Sequence, residues 1–333
     1  MKELVVSHSK LNTWRKCHRA YYYKYVDKLI KKVKSGALQR GSIIHECIEA
    51  YNSGKSWKKV FKRFEKDFYE NTFEEERVIL GDIPKMVESL MENYVAAYED
   101  DDLEYLANEQ EFLLPLGKFP EGKIYITGYI DALVKDTKGC WVLERKTYSR
   151  SPDLDFLVFN SQSGIYSWAC EQLNFPIKGT LWEIIKASEP SVPRILKSGE
   201  VSQAKIDSTP YTIEKWLREN GFDPKEYTPL INSCSFEDYF TRRGVLVNKP
   251  VVKSLMSDVI TTSREILSYG DNIPQDRNLT RNCAFCDYKE ICQAELMDLD
   301  SDYIKKKSYV RKEEGNDQEK DPPEKRITKK LQF

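Results

Sequence analysis

Apolar and polar positions follow two rhythms along this chain of 333 residues. From 108 to 147 the period is close to two: EQEFLLPL, then KIYITGYIDALV, a DTKG turn at 136–139, and CWVLERKTY. Such alternation predicts a strand meander whose hairpin turns at Lys138-Gly139. Elsewhere the spacing is helical. Ser9 is placed to cap a helix over KLNTWRKCHRAYYYKYV, and Gly41-Ser42 to open a second. In that second helix Ile44, Ile48 and Tyr51 share a face, and His45 and Glu49 stand one turn apart. A helix from Pro84 carries Met86, Val87, Leu90, Met91, Tyr94 and Val95 as its buried stripe and runs towards Tyr105. Further along, the pattern predicts a helix near 160–172, a strand near 178–186 and two or three helices within 200–270. A short Cys-rich segment occupies 281–295, and no internal repeat is visible.

Strands set between helices predict an α/β fold, a mixed central sheet flanked by helices. Residues 1–300 read as one unit: a helical region over about 1–107, a sheet-bearing core over about 108–190, and a helical, Cys-rich closure over about 200–300. From Ser301 onward come ten bases, seven acids and two prolines with almost no apolar residues, which predicts a disordered charged tail over 301–333. Its last residues, KRITKKLQF, read either as a short docking segment or as a solvated end.

Charge changes this picture more than composition does. The totals are 52 basic against 53 acidic side chains, a net charge of -1. Residues 1–40, however, hold eleven Lys/Arg against two acids (Glu3 and Asp27), and residues 60–111 hold sixteen acids against five bases. The basic arm suits a phosphate backbone. Within it Arg15, Lys16, Arg19, Lys31, Lys32 and Lys34 interleave with Trp14, Tyr21, Tyr22, Tyr23 and Tyr25, the mixture that single-strand binders use. Packing of the tyrosines into the core is the preferred reading for the rings, and DNA contact for the cations. No apolar run is long enough to cross a membrane, and MKELVVSHSK lacks the apolar stretch of a secretory signal, so a cytoplasmic setting is expected. Eight cysteines would then be reduced, and a cluster among them points to metal rather than to disulfides.

Two constellations carry chemistry. Asp131 falls on one strand of the hairpin, and Glu144 and Lys146 on the next, two apart and therefore on one face. Two carboxylates beside an ammonium offer hard oxygen donors for Mg²⁺ or Mn²⁺, with open positions for water and a phosphate oxygen. The competing reading is an ion pair on an exposed sheet face. The second constellation is Cys283-x2-Cys286-x5-Cys292, a trio that needs a fourth ligand from elsewhere. Four thiolates suit either an iron–sulfur cluster or zinc. Cys47, Cys140, Cys170 and Cys234 have no such spacing and read as small buried hydrophobes.

The order of these elements resembles the PD-(D/E)XK nuclease superfamily, in particular its RecB-like branch with an iron–sulfur cluster. GYID (128–131) followed by ERKT (144–147) matches the paired strands of that branch. Gly41-Ser42-Ile43-Ile44-His45 matches its upstream G-x-x-x-H helix, and Gln162-Ser163-Gly164-Ile165-Tyr166 its downstream Q-x-x-x-Y helix. The resemblance implies a restriction-endonuclease-like core in which His45, Asp131 and Glu144 ligate Mg²⁺ or Mn²⁺ together with the backbone carbonyl of Arg145. It implies that Lys146 is the catalytic lysine and that Gln162 and Tyr166 position DNA or the attacking water. It also implies that Cys17 completes a 4Fe–4S site with Cys283, Cys286 and Cys292, zinc being the less favoured occupant.

The expected activity is metal-dependent hydrolysis of DNA phosphodiesters, in exonuclease mode, in recombination, repair or end processing. The substrate is single-stranded DNA or DNA with accessible ends. No G-x-x-x-x-G-K-[S/T] loop occurs, so any unwinding falls to a separate helicase or recombination partner. The alternative is a non-catalytic iron–sulfur DNA-binding subunit of a helicase–nuclease or CRISPR-adaptation complex.

Overall fold

The computed structural model describes residues 2–32, 35–149 and 154–311. The chain enters through β1 (Glu3–Val6) and α1 (His8–Lys16), then α2 (His18–Tyr21), a π-helical turn (Tyr22–Val26) and β2 (Leu29–Lys31). The helices α3 (Gly36–Asn52), α4 (Trp57–Asn71), α5 (Glu74–Leu80) and α6 (Ile83–Ala97) follow. Next come β3 (Glu104–Phe119), β4 (Gly122–Asp136), β5 (Gly139–Tyr148), a 3-10 helix (Leu154–Phe159), α7 (Ser161–Gln172) and β6 (Gly179–Lys186). The remainder holds α8 (Pro210–Glu219), α9 (Thr228–Asn232), β7 (Phe240–Leu246), α10 (Lys249–Tyr269), α11 (Lys289–Leu296), α12 (Ser301–Ser308) and β8 (Tyr309–Arg311).

The sheet runs β1-β4-β5-β6-β7, with β3 on the other edge of β4. Pairings β1–β4 and β5–β6 are parallel and the rest antiparallel, so the expected mixed sheet is present. One helical layer, α1, α7 and α10, packs Leu11, Trp14, Ile165, Ala169, Met256 and Ile266 on Ile126, Leu133 and Val142. The other layer, α3, α4 and α6, buries Ile44, Ile48, Phe61, Val87 and Leu90 with Ile185 and Phe240 of the sheet. On α6 the predicted stripe is confirmed from Met86 to Tyr94.

Several boundaries differ from those the pattern predicts. Ser7, not Ser9, caps α1: the cap falls where extended backbone ends, and Ser7 accepts a hydrogen bond from the Lys10 N–H. The helix expected to run unbroken to Val26 is interrupted at Cys17, which is extended (φ -170°, ψ 120°). Its N–H closes α1 on the Thr13 carbonyl and its own carbonyl receives the Tyr21 N–H, so one residue both ends and begins a helix. The helix bearing His45 starts at Gly36, where Ser35 accepts from the Leu38 N–H, rather than at Gly41. Gly41 serves a different need, since a Cβ there would stand 3.1 Å from Thr147 Oγ1 of β5.

Two strands of the main sheet escape the pattern. β1 lies inside the region read as helical and β7 inside the region read as closure, so the three segments interleave in one sheet. The tail expected from Ser301 is corrected over 301–311, which form α12 and β8. There Asp300 caps the helix through the Tyr303 N–H, and β8 pairs antiparallel with β2. KRITKKLQF lies outside the described residues, as does Lys34. No described helix is long and apolar enough to cross a membrane.

Candidate active site and cysteine lobe

β4 changes partners along one edge. Its residues 123–126 pair with β1 and its residues 132–136 with β5, leaving a fork around Tyr129–Asp131. β5 parts from β4 beyond Leu143 yet stays paired with β6 through Tyr148. Backbone groups at such a fork lose strand partners and need others. Asp131 Oδ2 accepts the Arg145 N–H at 2.8 Å, and Tyr166 on α7 donates its hydroxyl to the Tyr129 carbonyl at 2.6 Å. Gly128 makes room for this, because a Cβ there would be 2.7 Å from the Phe112 ring and 3.2 Å from that of Tyr166.

The fork gathers the residues singled out in the sequence. Glu144 Oε1 accepts from Lys146 Nζ at 2.5 Å and from Gln162 Nε2 at 2.8 Å. Gln162 Nε2 also reaches the Tyr166 hydroxyl at 2.8 Å, one turn along α7. Asn160 caps that helix by accepting the Gln162 N–H, which fixes the start of the Q-x-x-x-Y turn. From α3, His45 Nδ1 stands 4.0 Å from Asp131 Oδ2.

Electrostatics favour a cation here. Burial, followed by the charge of Asp131, pushes the Glu144 carboxyl up to about 7, against the pull of Lys146 and Gln162. Glu144 Oε2 is buried and has no hydrogen-bond partner among the described residues. Burial also lowers the His45 pKa, favouring the neutral imidazole that a metal requires. Asp131, Glu144 and His45 therefore fit a hard divalent ion in donor type, charge and the presence of an orphaned oxygen. Among the described residues no three His, Cys, Asp or Glu side chains are grouped closely enough to hold a metal ion.

Arg145 points to the opposite face, as strand alternation predicts. Its Nε donates to Glu183 Oε2 at 2.8 Å, and Glu183 also accepts from Arg242 and from the Tyr94 hydroxyl. Burial alone would raise the Glu183 carboxyl, but Arg145 and Arg242 hold it below the usual range. The arginine beside the site is thus neutralised under the sheet.

Two residues near the fork were not singled out beforehand. Glu109 lies opposite Asp131, since Asn108 pairs with Ala132 and Gln110 with Ile130. Burial and then Glu49 and Asp131 raise its pKa. His8, at the start of α1, places Nε2 3.1 Å from Ser161 Oγ, next to Gln162. Burial, then the Lys146 charge, lowers its pKa to about 4. Neither has a sequence signature: Glu109 is disclosed by register and His8 by the docking of α1.

The second constellation forms a lobe away from the fork. Cys17, Cys283, Cys286 and Cys292 line one cavity of about 600 Å³. Beside it Tyr23, Leu29, Tyr288, Ile291 and Tyr309 form a small core against which Cys286 and Cys292 pack. The Tyr288 hydroxyl donates to the Leu29 carbonyl at 2.9 Å and the Tyr309 hydroxyl to the Asp287 carbonyl at 2.5 Å. The N-terminal and C-terminal segments are thus joined by the Tyr288–Leu29 bond and by the β2–β8 pair. Trp14, Tyr21 and Tyr23 are buried, as preferred for the rings.

The cations of the basic arm divide. Arg15 and Arg19, expected to contact DNA, also make internal links, and Arg15 is exposed. Arg15 donates to Thr262 Oγ1 and the Asp258 carbonyl, and Arg19 to Glu295, Gln275 and Tyr23. A guanidinium committed to several acceptors is a tether between α1, α2 and the C-terminal helices. Lys16 is exposed, Lys31 Nζ lies 3.7 Å from Glu290, and Lys32 Nζ donates to the Lys306 carbonyl at 2.8 Å.

No curated protein matches the chain. A solved structure described as "Crystal structure of SSO0001" aligns over 88% of each chain at 14% identity and a TM-score of 0.33. Residues 5–293 match the family model for the PD-(D/E)XK nuclease superfamily, a span that includes the fork, α7 and the three clustered cysteines. The chain belongs to the PD-(D/E)XK nuclease superfamily.

Proposed function

We propose that the protein is a Mg²⁺- or Mn²⁺-dependent deoxyribonuclease of the RecB-like, iron–sulfur branch. It acts on single-stranded DNA or accessible ends, in exonuclease mode, in recombination, repair or end processing. The observation that carries this reading is the convergence of Asp131, Glu144 and Lys146 at the fork, with Gln162 bonded to Glu144. Asp131, Glu144, His45 and the Arg145 carbonyl are assigned to the divalent ion. When bound, that ion acidifies a water and offsets charge on the phosphoryl oxygens. Lys146 orients that water and stabilises the developing charge, and Gln162 and Tyr166 hold the strand and the water in place.

The four cysteines that line one cavity are assigned to a 4Fe–4S cluster, whose thiolate ligands require the reducing conditions of the cytoplasm. Lys16, Lys31 and Lys32 are assigned to the phosphate backbone, and a separate helicase or recombination protein supplies any unwinding.

The test is degradation of end-labelled single- and double-stranded DNA with Mg²⁺ or Mn²⁺. Anaerobically purified wild type is compared with Lys146→Ala. Metal-dependent cleavage that disappears in the variant supports the reading. An intact, cluster-loaded wild type that leaves every substrate whole refutes it, in favour of a DNA-binding subunit.

A further inference from the structure

Between the end of β5 and the start of α7 the chain forms the 3-10 helix Leu154–Phe159. Its middle is anchored: Leu157 is buried against Trp182 and Ile184, with Tyr148 and Val245 packed at the rim. The strand register puts Glu144 beside Trp182 and Lys146 beside Ile184, so Leu157 sits on the same sheet face as the two site residues. At its end, the Asn160 N–H donates to the Leu157 carbonyl, and Asn160 then caps α7 through Gln162. The segment is held at both points by groups that also build the site.

With Leu157 turned inward, Phe156 and Phe159 turn outward. They are 68% and 71% exposed, and their rings meet edge to face with centroids 6.5 Å apart. Two bare phenyl rings fixed on one short helix cost hydration free energy and serve no internal packing. Across the same face, Arg243 pairs with Trp182 and is exposed, which sets a cation one strand beyond the rings. Aromatic faces flanked by Lys146 and Arg243 match a strand whose phosphates run over the cations while a base rests on a ring.

We propose that Phe156 and Phe159 form a stacking platform for an unpaired nucleobase of DNA, adjacent to the phosphodiester held at the fork. The inference rests on the nuclease reading and refines it: a platform for an unpaired base selects single strands and frayed ends over closed duplex. It gives a physical basis for a strand preference that Asp131, Glu144 and Lys146 cannot supply, since they meet only the backbone.

The experiment uses the full chain and a short single-stranded oligonucleotide carrying 2-aminopurine, titrated in EDTA so that no cleavage occurs. Stacking on a ring changes the probe's fluorescence. Phe156→Ala/Phe159→Ala is expected to weaken binding of this oligonucleotide by about ten-fold or more and to abolish the fluorescence change. Phe156→Leu/Phe159→Leu, which keeps apolar bulk without a π face, is expected to behave like the alanine variant. In Mn²⁺ both variants are expected to show a raised KM on single strands, with kcat and duplex binding near wild type. Leucine variants that bind the probe as tightly as wild type would overturn stacking. A wild type that cleaves DNA while the alanine variant matches its single-strand affinity would overturn the platform and leave the nuclease standing. A wild type that stacks the probe on these rings but hydrolyses no DNA with any divalent ion would sink the nuclease reading alone.

Discussion

At the fork of β4 and β5 the acidic groups are held by hydrogen-bonded register, whereas in the cysteine lobe the thiols are held by side-chain packing. Asp131 lies on β4 between residues paired with β3, and Glu144 on β5 is paired with Trp182 of β6. Each thus has a fixed place in the sheet, although the fork leaves one side of each strand open. The four cysteines come from a break between two short helices and from a 3-10 turn and the helix after it, which share a core of five buried residues. Sheet register organises the first site without its ion. The second depends on a small core that joins the two ends of the described chain, so a ligand bridging the thiols adds directly to its stability. With the proposed ligands bound, the protein should therefore tolerate removal of a divalent ion from the fork and not removal of a cluster from the lobe.

The most damaging test of that contrast is Cys286→Ala, expected to remove the brown colour and the soluble fraction together. A colourless, stable, zinc-loaded wild type purified without oxygen would contradict the iron–sulfur assignment. Lys146→Ala is expected to lower cleavage by about 10²–10⁴-fold while leaving the thermal midpoint and DNA affinity near wild type. A large fall in its midpoint would mean that the fork is not independently organised. Glu183→Ala should cost about 3–5 kcal/mol in urea unfolding, because it strands Arg145 beneath the sheet and leaves Arg242 with Asp101 alone; a neutral result would break the link between the buried pair and the fork.

Smaller effects sharpen the comparison. If Glu144, whose carboxyl burial and Asp131 push up to about 7, ligates the proposed divalent ion, its proton competes with that ion. Below that pH the proton must be displaced, so Mn²⁺ affinity in calorimetry should fall by about ten-fold per pH unit and level off above it. A flat profile would remove Glu144 from the ligand set. Lys31→Glu/Lys32→Glu should weaken DNA binding modestly and reduce its salt slope, as expected when phosphate contacts are lost. An unchanged slope would route DNA away from the lobe.

Much of this was legible beforehand, and the exceptions share a cause. β3 alternates, with Phe112 and Leu114 buried, whereas β4 and β5 are buried on both faces and are marked by apolar, β-branched runs that meet at the Lys138-Gly139 turn. Glu144, Lys146, Gln162 and Tyr166 could be related by spacing alone, within one strand or one helix turn. β1 and β7 escaped because ELVV is short and FTRRGVL carries Arg242 and Arg243, one internal and one exposed. The internal links of Arg15 and Arg19 were not legible because Thr262 and Glu295, which engage them, lie more than two hundred residues away. The helix break at Cys17 is fixed by backbone bonds of α1 and α2 that meet at one extended residue, which no local propensity encodes.

The placement of Arg145 has a consequence for how the sheet assembles. Pairing β5 one residue out of step would carry Arg145 to the face of α7 and drive Glu144 and Lys146 into the layer around Glu183 and Tyr94. Arg145 would then lose Glu183, and Glu144 would lose Gln162. The interleaving of a structural arginine between two site residues thus acts as a check on folding: a molecule that closes this sheet stably has, by the same act, set its acidic groups on the correct side.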